Sequence, residues 1–316
     1  MGEVVGAGLV AHVPTIMLPE QTRRELNKGE DFSLVGGLEQ LRADVFEQVD
    51  YDTVVVLDSH WFTTVEFVVT AQDRRAGLFT SEELPRGMKQ IPFDWHGDPE
   101  LAWAMDRYSS DHATWVTAID DEYLPVFYAT VNLWKYLGEG LHKRWISVSV
   151  AQTGVTEDFL RAGRALGQAI EASDRKVMLV ASGAMSHTFW KLRELRDHEA
   201  ADLSSIRTPE ARAADEERIA WLKEGNHAKV LESMDDFLDY RPESMFAHYL
   251  MMLGAIGEEK CTAPARQYGE YENSIGTGQV HLWCDRPAEG FPRQNQTPTD
   301  PDFLRQQSGP DIPAAG

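Results

Sequence analysis

The sequence predicts an α/β protein. Short apolar runs rich in β-branched residues recur along the chain, helical patterns separate them, and 42% of the 316 residues are hydrophobic, enough for a sizeable core. The runs cover residues 4–10, 53–57, 145–150 and 176–181. Each is short and nearly continuous, as expected of a strand covered on both faces, since a strand with one wet face alternates apolar and polar side chains. Between the runs, the spacing of apolar residues predicts helices over 34–48, 99–109, 124–137, 156–172, 209–224 and 244–256. Gly36-Gly37 leaves the start of the first one open. Residues 192–218 are densely charged and read as a solvated helical excursion, with a lid over a site as the alternative. From Asp285 onward Pro, Gln, Gly and Asp dominate, which divides the chain into a globular unit over 1–285 and a tail over 286–316 without a core of its own. No internal repeat is present.

The charge balance is 30 basic against 51 acidic residues, a net −21. A protein that binds nucleic acid neutralises phosphates with a basic surface, so this class is excluded. The first residues lack a basic segment followed by a long apolar one, and no later stretch is long and apolar enough to span a membrane, so a cytoplasmic protein without a membrane partner is expected. Cys261 and Cys284 alone cannot build a disulfide framework or a thiolate metal cage, and neither has the surroundings of a nucleophile. Any metal would need His and carboxylate ligands. Ten histidines are available.

In open α/β sheets, ligands gather beyond the carboxyl ends of the strands. Histidine stands there three times: in Ala11-His12-Val13-Pro14, in Asp58-Ser59-His60-Trp61, and in Ser182-Gly183-Ala184-Met185-Ser186-His187. One strand-end histidine is by default a hydrogen-bonded structural residue; three from separate strands at one sheet edge can share a crevice. Neutral imidazole is a favoured ligand for divalent iron, and two such rings with one carboxylate leave positions open for substrate and oxygen. Asp58 could be that carboxylate, or an acceptor behind a ligand. Glu243 is the other candidate, ahead of a helix whose Met245, Tyr249, Met252 and Ile256 make an apolar stripe. Pro242 followed by an acid is equally ordinary helix-start chemistry, so spacing alone favours the bland reading of Glu243. His96 reads as a surface-turn residue and His248 as a packing residue or one behind a ligand. His112, His142, His198 and His227 lie in polar settings and read as solvent-exposed. Gly276-Thr277-Gly278 has no phosphate-loop lysine and reads as a tight turn.

Six blocks carry a resemblance: His12-Val13-Pro14, Asp58-Ser59-His60-Trp61, Thr80-Ser81-Glu82-Glu83-Leu84-Pro85, Ala181 through His187, Glu243 ahead of Met251-Met252-Leu253-Gly254, and Gly276-Thr277-Gly278-Gln279-Val280. In that order they resemble the class III (LigB-type) extradiol ring-cleavage dioxygenases, most closely the branch containing homoprotocatechuate 2,3-dioxygenase. No single tripeptide is specific, but the ordered set is. The resemblance implies a three-layer α/β/α sandwich around a mixed sheet, with 1–285 as the catalytic domain. It also implies Fe(II), with Mn(II) accepting the same donors, held by His12, His60 and Glu243, and His187 as an acid/base residue. The reactants would be a catecholic aromatic acid and O2, the ring opening beside the diol, in a homo-oligomer. Imidazole suits the acid/base part because its reference pKa of about 6.5 lets it accept and return a proton near neutrality.

Many members of that family place an Asp-His-Gly block against the substrate. This chain reads Asp121-Glu122-Tyr123-Leu124-Pro125, which puts Tyr123 forward as the contact. Thr277, Gly278 and His281 are expected to line the pocket, and Trp61 and Trp190 to shape the ring slot. Two other readings compete: a divalent-metal hydrolase using the same donors to activate water, and a non-catalytic binding protein on this scaffold. The joint presence of His12, His60, Glu243 and His187 disfavours the second.

Overall fold

The computed structural model describes residues 1–292. Its strands are β1 (Glu3–Val10), β2 (Thr53–Thr63), β3 (Phe67–Thr70), β4 (Arg74–Phe79), β5 (Ile91–His96), β6 (Val116–Ile119), β7 (Arg144–Ala151), β8 (Lys176–Ser182), β9 (Ala265–Ser274) and β10 (Thr277–Asp285). The α-helices are α1 (Glu20–Leu26), α2 (Ser33–Leu41), α3 (Pro99–Ser109), α4 (Tyr128–Leu137), α5 (Thr156–Ala172), α6 (Pro209–Lys223), α7 (His227–Glu232), α8 (Met234–Leu238) and α9 (Ala247–Ala255). The strands form one mixed sheet of order β4-β5-β7-β2-β8-β1-β10-β9, with β3 and β6 branching from β7. Among the described residues, no helix is long and apolar enough to cross a membrane.

The four apolar runs predicted from sequence are the contiguous parallel strands β7-β2-β8-β1 at the centre of the sheet. Side chains alternate across a strand, so each central strand feeds two cores. In β2, Val55 and Leu57 join Leu101, Leu160, Leu166 and Leu250 of α3, α5 and α9 on one face. Val54 and Val56 join Leu34, Leu38, Val131 and Leu133 of α2 and α4 on the other. The result is an α/β/α sandwich.

The helices predicted over 99–109 and 156–172 match α3 and α5. The helix predicted from 124 begins at Tyr128, after the extended Phe127: Pro125 keeps Leu124 out of helical conformation, and the chain turns helical only three residues past the proline. β3 to β6 and the β9–β10 hairpin fall outside the four predicted runs; β3 is apolar and buried but only four residues long, and β4 and β5, at the sheet edge, are largely exposed. The charged stretch 192–218 is a correction: α6 packs against the body and buries Asp215 and Arg218 fully. Arg218 donates to Asp236 Oδ2 and the Ser233 carbonyl and lies over the Phe237 ring. Three histidines read as solvated are also corrected. His112 is buried against Gln168, His227 is buried between Tyr249 Oη and the Ala263 carbonyl, and His198 stacks on Trp190. Of the tail read over 286–316, Arg286 pairs with Glu3 and Pro292 packs on Gly257, while 293–316 lie outside the described residues.

Two contacts hold the layers in register. A Cβ on Gly163 of α5 would lie 2.1 Å from the Met251 carbonyl oxygen, and one on Gly254 of α9 would lie 2.3 Å from that of Leu160, so the helices meet backbone to backbone. On the other face, the fully buried His281 of β10 accepts at Nδ1 from the Ala11 amide and donates from Nε2 to the Leu34 carbonyl, tying β10 to the end of β1 and to α2.

Both contacts are testable by denaturant unfolding. Alanine for glycine inside a helix ordinarily stabilises by about 0.5–1 kcal/mol. Gly163→Ala and Gly254→Ala are each expected to destabilise instead, by about 1–3 kcal/mol, because overpacking forces the helices apart. A gain in stability would show that they can yield. Burial lowers the His281 ring to about 4, so the folded state resists its protonation. The stability this residue contributes is full above its unfolded pKa of about 6.5 and is lost as pH falls through about 4, at up to about 1.4 kcal/mol per pH unit. The stability advantage of wild type over His281→Gln should therefore shrink between pH 6.5 and 4; a constant advantage would contradict the assignment.

Candidate active site

Three neighbouring parallel strands bring the predicted histidines to one edge. Ser182 at the end of β8 is level with Val10 of β1 on one side and Asp58 of β2 on the other. His12, His60 and His187 all follow that common level, so convergence results from register.

The Asp58 carboxylate stabilises the end of β2. Its Oδ1 accepts from the His60 and Trp61 amides at 3.0 and 3.2 Å, and its Oδ2 accepts from Thr130 Oγ1 at 2.7 Å. Burial raises its pKa against these bonds. Asp58 thus holds the backbone at His60 and does not bond its ring. The His60 ring packs 4.2 Å from that of Tyr128 and stands nearly perpendicular to that of His12 at 6.4 Å. Its Nδ1 is buried without a hydrogen-bond partner and its Nε2 lies 3.5 Å from Glu83 Oε1.

His12 Nδ1 is hydrogen-bonded to Ser182 Oγ at 2.9 Å, and Asn132 Nδ2 donates to the His12 carbonyl. This leaves His12 Nε2 facing Glu243 Oε1 at 3.6 Å, too long for a hydrogen bond. Burial lowers the His12 ring to about 4, although the Glu243 carboxylate pulls the other way, so the ring is neutral at pH 7.

Glu243 does not simply open a helix. Ser244, Met245 and Phe246 have φ of 49°, 59° and 61° before α9 begins. Left-handed conformations cost about 1–2 kcal/mol per non-glycine residue, so this corner is strained. The strain aims the buried carboxylate back into the sheet edge. Its Oε1 accepts from Ser59 Oγ at 2.7 Å and its Oε2 from the Ala184 amide at 2.6 Å, while Ser244 Oγ donates to the Ser59 carbonyl. Burial pushes this carboxyl up, but the His187, His12 and His248 rings with the Ser59 hydroxyl outweigh it and hold it at about 2. His187 completes the group: its amide donates to the Arg241 carbonyl, and its ring packs edge-on against Phe189.

The donor set suits a divalent cation in chemistry, with a neutral buried imidazole, an ionised carboxylate, and a second imidazole carrying an unpartnered buried nitrogen. Among the described residues, no three His, Cys, Asp or Glu side chains are gathered as a ready ligand set, and the His60 ring is paired with Glu83 instead.

The expected substrate contacts fare differently. Tyr123 is 83% exposed and lies at the surface. The tyrosine packed on His12 and His60 is Tyr128, at the first turn of α4, with ring centroids 5.3 and 4.2 Å away. Its signal was in the same block, Asp121 through Tyr128, on the far side of Pro125. Trp61 is buried and stacked on Phe127. Thr277 Oγ1 donates to the Ser274 carbonyl and accepts from Gln279 Nε2, and both ring nitrogens of His281 are taken by backbone, so neither offers a free polar atom to a substrate. Gly278 pairs with the loop carrying His187, its amide donating to the Ser186 carbonyl and its carbonyl accepting from Met185. Trp190 is held between His198 and Arg207, its Nε1 donating to the Ser205 carbonyl. His248 was read as packing; it is wholly buried, with its Nε2 2.5 Å from where a Gly183 Cβ would sit.

Comparison with known proteins places the chain in a family. Residues 6–281 match the family described as the catalytic LigB subunit of aromatic ring-opening dioxygenase, a span that contains all six sequence blocks. The chain is similar to the 3,4-dihydroxyphenylacetate 2,3-dioxygenase of Escherichia coli, 26% identical over 265 residues, covering 82% of this chain and 92% of that protein. Among solved structures it is similar to an uncharacterized protein from Escherichia coli K12, with a TM-score of 0.57 and 17% identity over 89% of this chain and 99% of that one, a likeness of fold.

The Asp58 network gives a check on this edge. Asp58→Ala strands the His60 and Trp61 amides in the interior, while Thr130 keeps its bond to Ser147 Oγ, and is expected to lower stability by about 2–5 kcal/mol. Glu83→Ala, at a half-exposed position, should change it by less than about 1 kcal/mol. Similar unfolding midpoints for the two variants would show that Asp58 does not hold the end of β2.

Proposed function

This chain belongs to the LigB family of aromatic ring-opening dioxygenases, and from that premise we propose that it is an extradiol enzyme which opens a catecholic aromatic acid beside its diol, with Fe(II) held by His12, His60 and Glu243. The observation that carries the reading is that His12 Nε2 faces Glu243 Oε1 at 3.6 Å with the His60 ring 6.4 Å from that of His12, at the sheet edge from which the His187 loop also departs. The name of the Escherichia coli relative supports a dihydroxylated aromatic acid as the substrate class. Mn(II) accepts the same donors.

When bound, Fe(II) supplies Lewis acidity toward the diol and one-electron redox chemistry toward dioxygen. The protein's own part follows from its geometry. Ser182 fixes the His12 ring so that Nε2, not Nδ1, faces Glu243. Ser59 and the Ala184 amide orient the Glu243 carboxylate and keep it ionised. Tyr128 covers both imidazoles, and burial with the nearby carboxylates raises its phenol, so it stays protonated and can donate a hydrogen bond to a diol oxygen. Phe189, itself half-exposed, packs edge-on against His187 and limits how that ring can turn. His187 accepts a diol proton at a ring nitrogen as the substrate binds and returns a proton later in the cycle.

Oxygen uptake against a panel of catechols, with the product mass locating the cleavage, tests the activity. Oxygen consumption with a yellow ring-opened product is expected; release of a hydrolysed product without oxygen uptake would favour the hydrolase reading. Metal analysis separates the roles. Glu243→Ala and His12→Ala should lose most bound iron, whereas His187→Phe should keep it and lower turnover by about two orders of magnitude or more. Full iron in Glu243→Ala would remove that residue from the ligand set.

A further inference from the structure

The loop carrying His187 is held in an unusual way. Four successive amides each donate to a different part of the molecule: Ala184 to Glu243 Oε2, Met185 to the Gly278 carbonyl of β10, Ser186 to Asp215 Oδ1 of α6, and His187 to the Arg241 carbonyl. Asp215 alone among these acceptors comes from the charged excursion that the sequence presents as solvated. It is fully buried and accepts three hydrogen bonds, at Oδ1 from the Ser186 amide (2.9 Å), and at Oδ2 from Ser186 Oγ (2.6 Å) and Tyr271 Oη (2.6 Å). The sheet is cut away to admit it. A Cβ on Gly278 would stand 2.1 Å from Asp215 Oδ2 and 2.5 Å from Tyr271 Oη, so only glycine at that place in β10 leaves room for the carboxylate.

We infer that Asp215 is a positioning residue for His187: by gripping both the amide and the hydroxyl of Ser186, it fixes the backbone one residue ahead of the imidazole and so sets where that ring stands relative to the substrate. The inference rests on the reading of His187 as the acid/base group. Proton transfer demands hydrogen-bond distances, and a displacement of about 1 Å can cost about 100-fold in rate. A neutral serine would satisfy the loop amide as well. A buried carboxylate holds it harder, since hydrogen bonds to a charged acceptor are roughly twice as strong as neutral ones. Burial raises the Asp215 carboxyl to about 6, and the Ser186 and Tyr271 donors oppose that rise.

The test uses the full-length protein. Asp215→Asn keeps the size of the side chain but exchanges one acceptor for a donor, and Ser186→Ala removes the hydroxyl while leaving the amide bond. In the metal-free protein, Asp215→Asn should speed hydrogen exchange at the Ser186 amide by at least tenfold and shift the ring-nitrogen resonances of His187, while those of the distant His112 stay in place. In the iron-loaded enzyme it should lower kcat by at least tenfold with KM and iron content within twofold of wild type. Ser186→Ala should lower kcat less, and the double variant should be no worse than Asp215→Asn, as for two members of one linkage. Tyr271→Phe, which keeps both Ser186 bonds, gives a milder variant should Asp215→Asn fold poorly, and it should shift the same His187 resonances less. Unchanged Ser186 exchange and His187 resonances in Asp215→Asn would overturn the inference. So would a loss confined to KM or iron content. If wild type opens no catechol, the functional reading fails, yet the exchange and resonance measurements still decide whether Asp215 places His187.

Discussion

The architecture of the site depends on the buried carboxylate of Glu243. A carboxylate withdrawn from water is costly by several kcal/mol unless hydrogen-bond donors replace the solvent. Here the donors come from the ends of two other segments, Ser59 in β2 and Ala184 after β8. Meeting both requires the carboxyl ends of β2 and β8 to lie side by side, which their parallel register provides. It also requires the chain between Glu243 and α9 to pass through three left-handed residues. The same carboxylate faces His12 Nε2 without bonding it. Strand register, corner strain and imidazole orientation are therefore one arrangement, and loosening any part leaves a charged group unsatisfied in the interior.

Burial also sorts the protonation states. It disfavours whichever form of a group is charged, so it lowers the His12 ring and would raise the Glu243 carboxyl. For the carboxyl, the surrounding imidazoles and the Ser59 hydroxyl reverse the effect. At neutral pH the nitrogen is then unprotonated and the oxygen ionised, the states in which both can donate electron pairs. Tyr128 lies over this pair with its phenol protonated, so acceptor and donor functions meet around one small volume.

Much of this was legible from sequence because it follows from local pattern. Continuous apolar runs marked the four central parallel strands, and a histidine beyond three of them marked the edge where they end. Glu243 was not legible from spacing, because Pro-Glu ahead of an apolar stripe is also how an ordinary helix begins, and the left-handed corner that distinguishes it has no glycine to announce it. The family resemblance singled it out where pattern could not. Tyr123 and Tyr128 differ for a related reason: α4 begins at Tyr128 and packs that ring on the histidines, while Tyr123 stays in solvent.

The glycines and charges after residue 190 show where pattern misleads. A Gly-x-Gly segment invites a ligand-binding reading, because glycine lets a backbone come close to a bound group. At Gly278 the group that needs the space is the protein's own Asp215, and its close approach serves the loop of His187. A densely charged segment likewise reads as solvated, since unpaired charge belongs in water. That rule concerns unpaired charge only. Asp215 has three donors and Arg218 has Asp236, the Ser233 carbonyl and the Phe237 face, so both can be buried one helical turn apart. Composition counts charges and cannot see their partners, and the partners here lie in β9, in α8 and in the loop before His187. The excursion that looked peripheral is the element that braces the loop carrying His187.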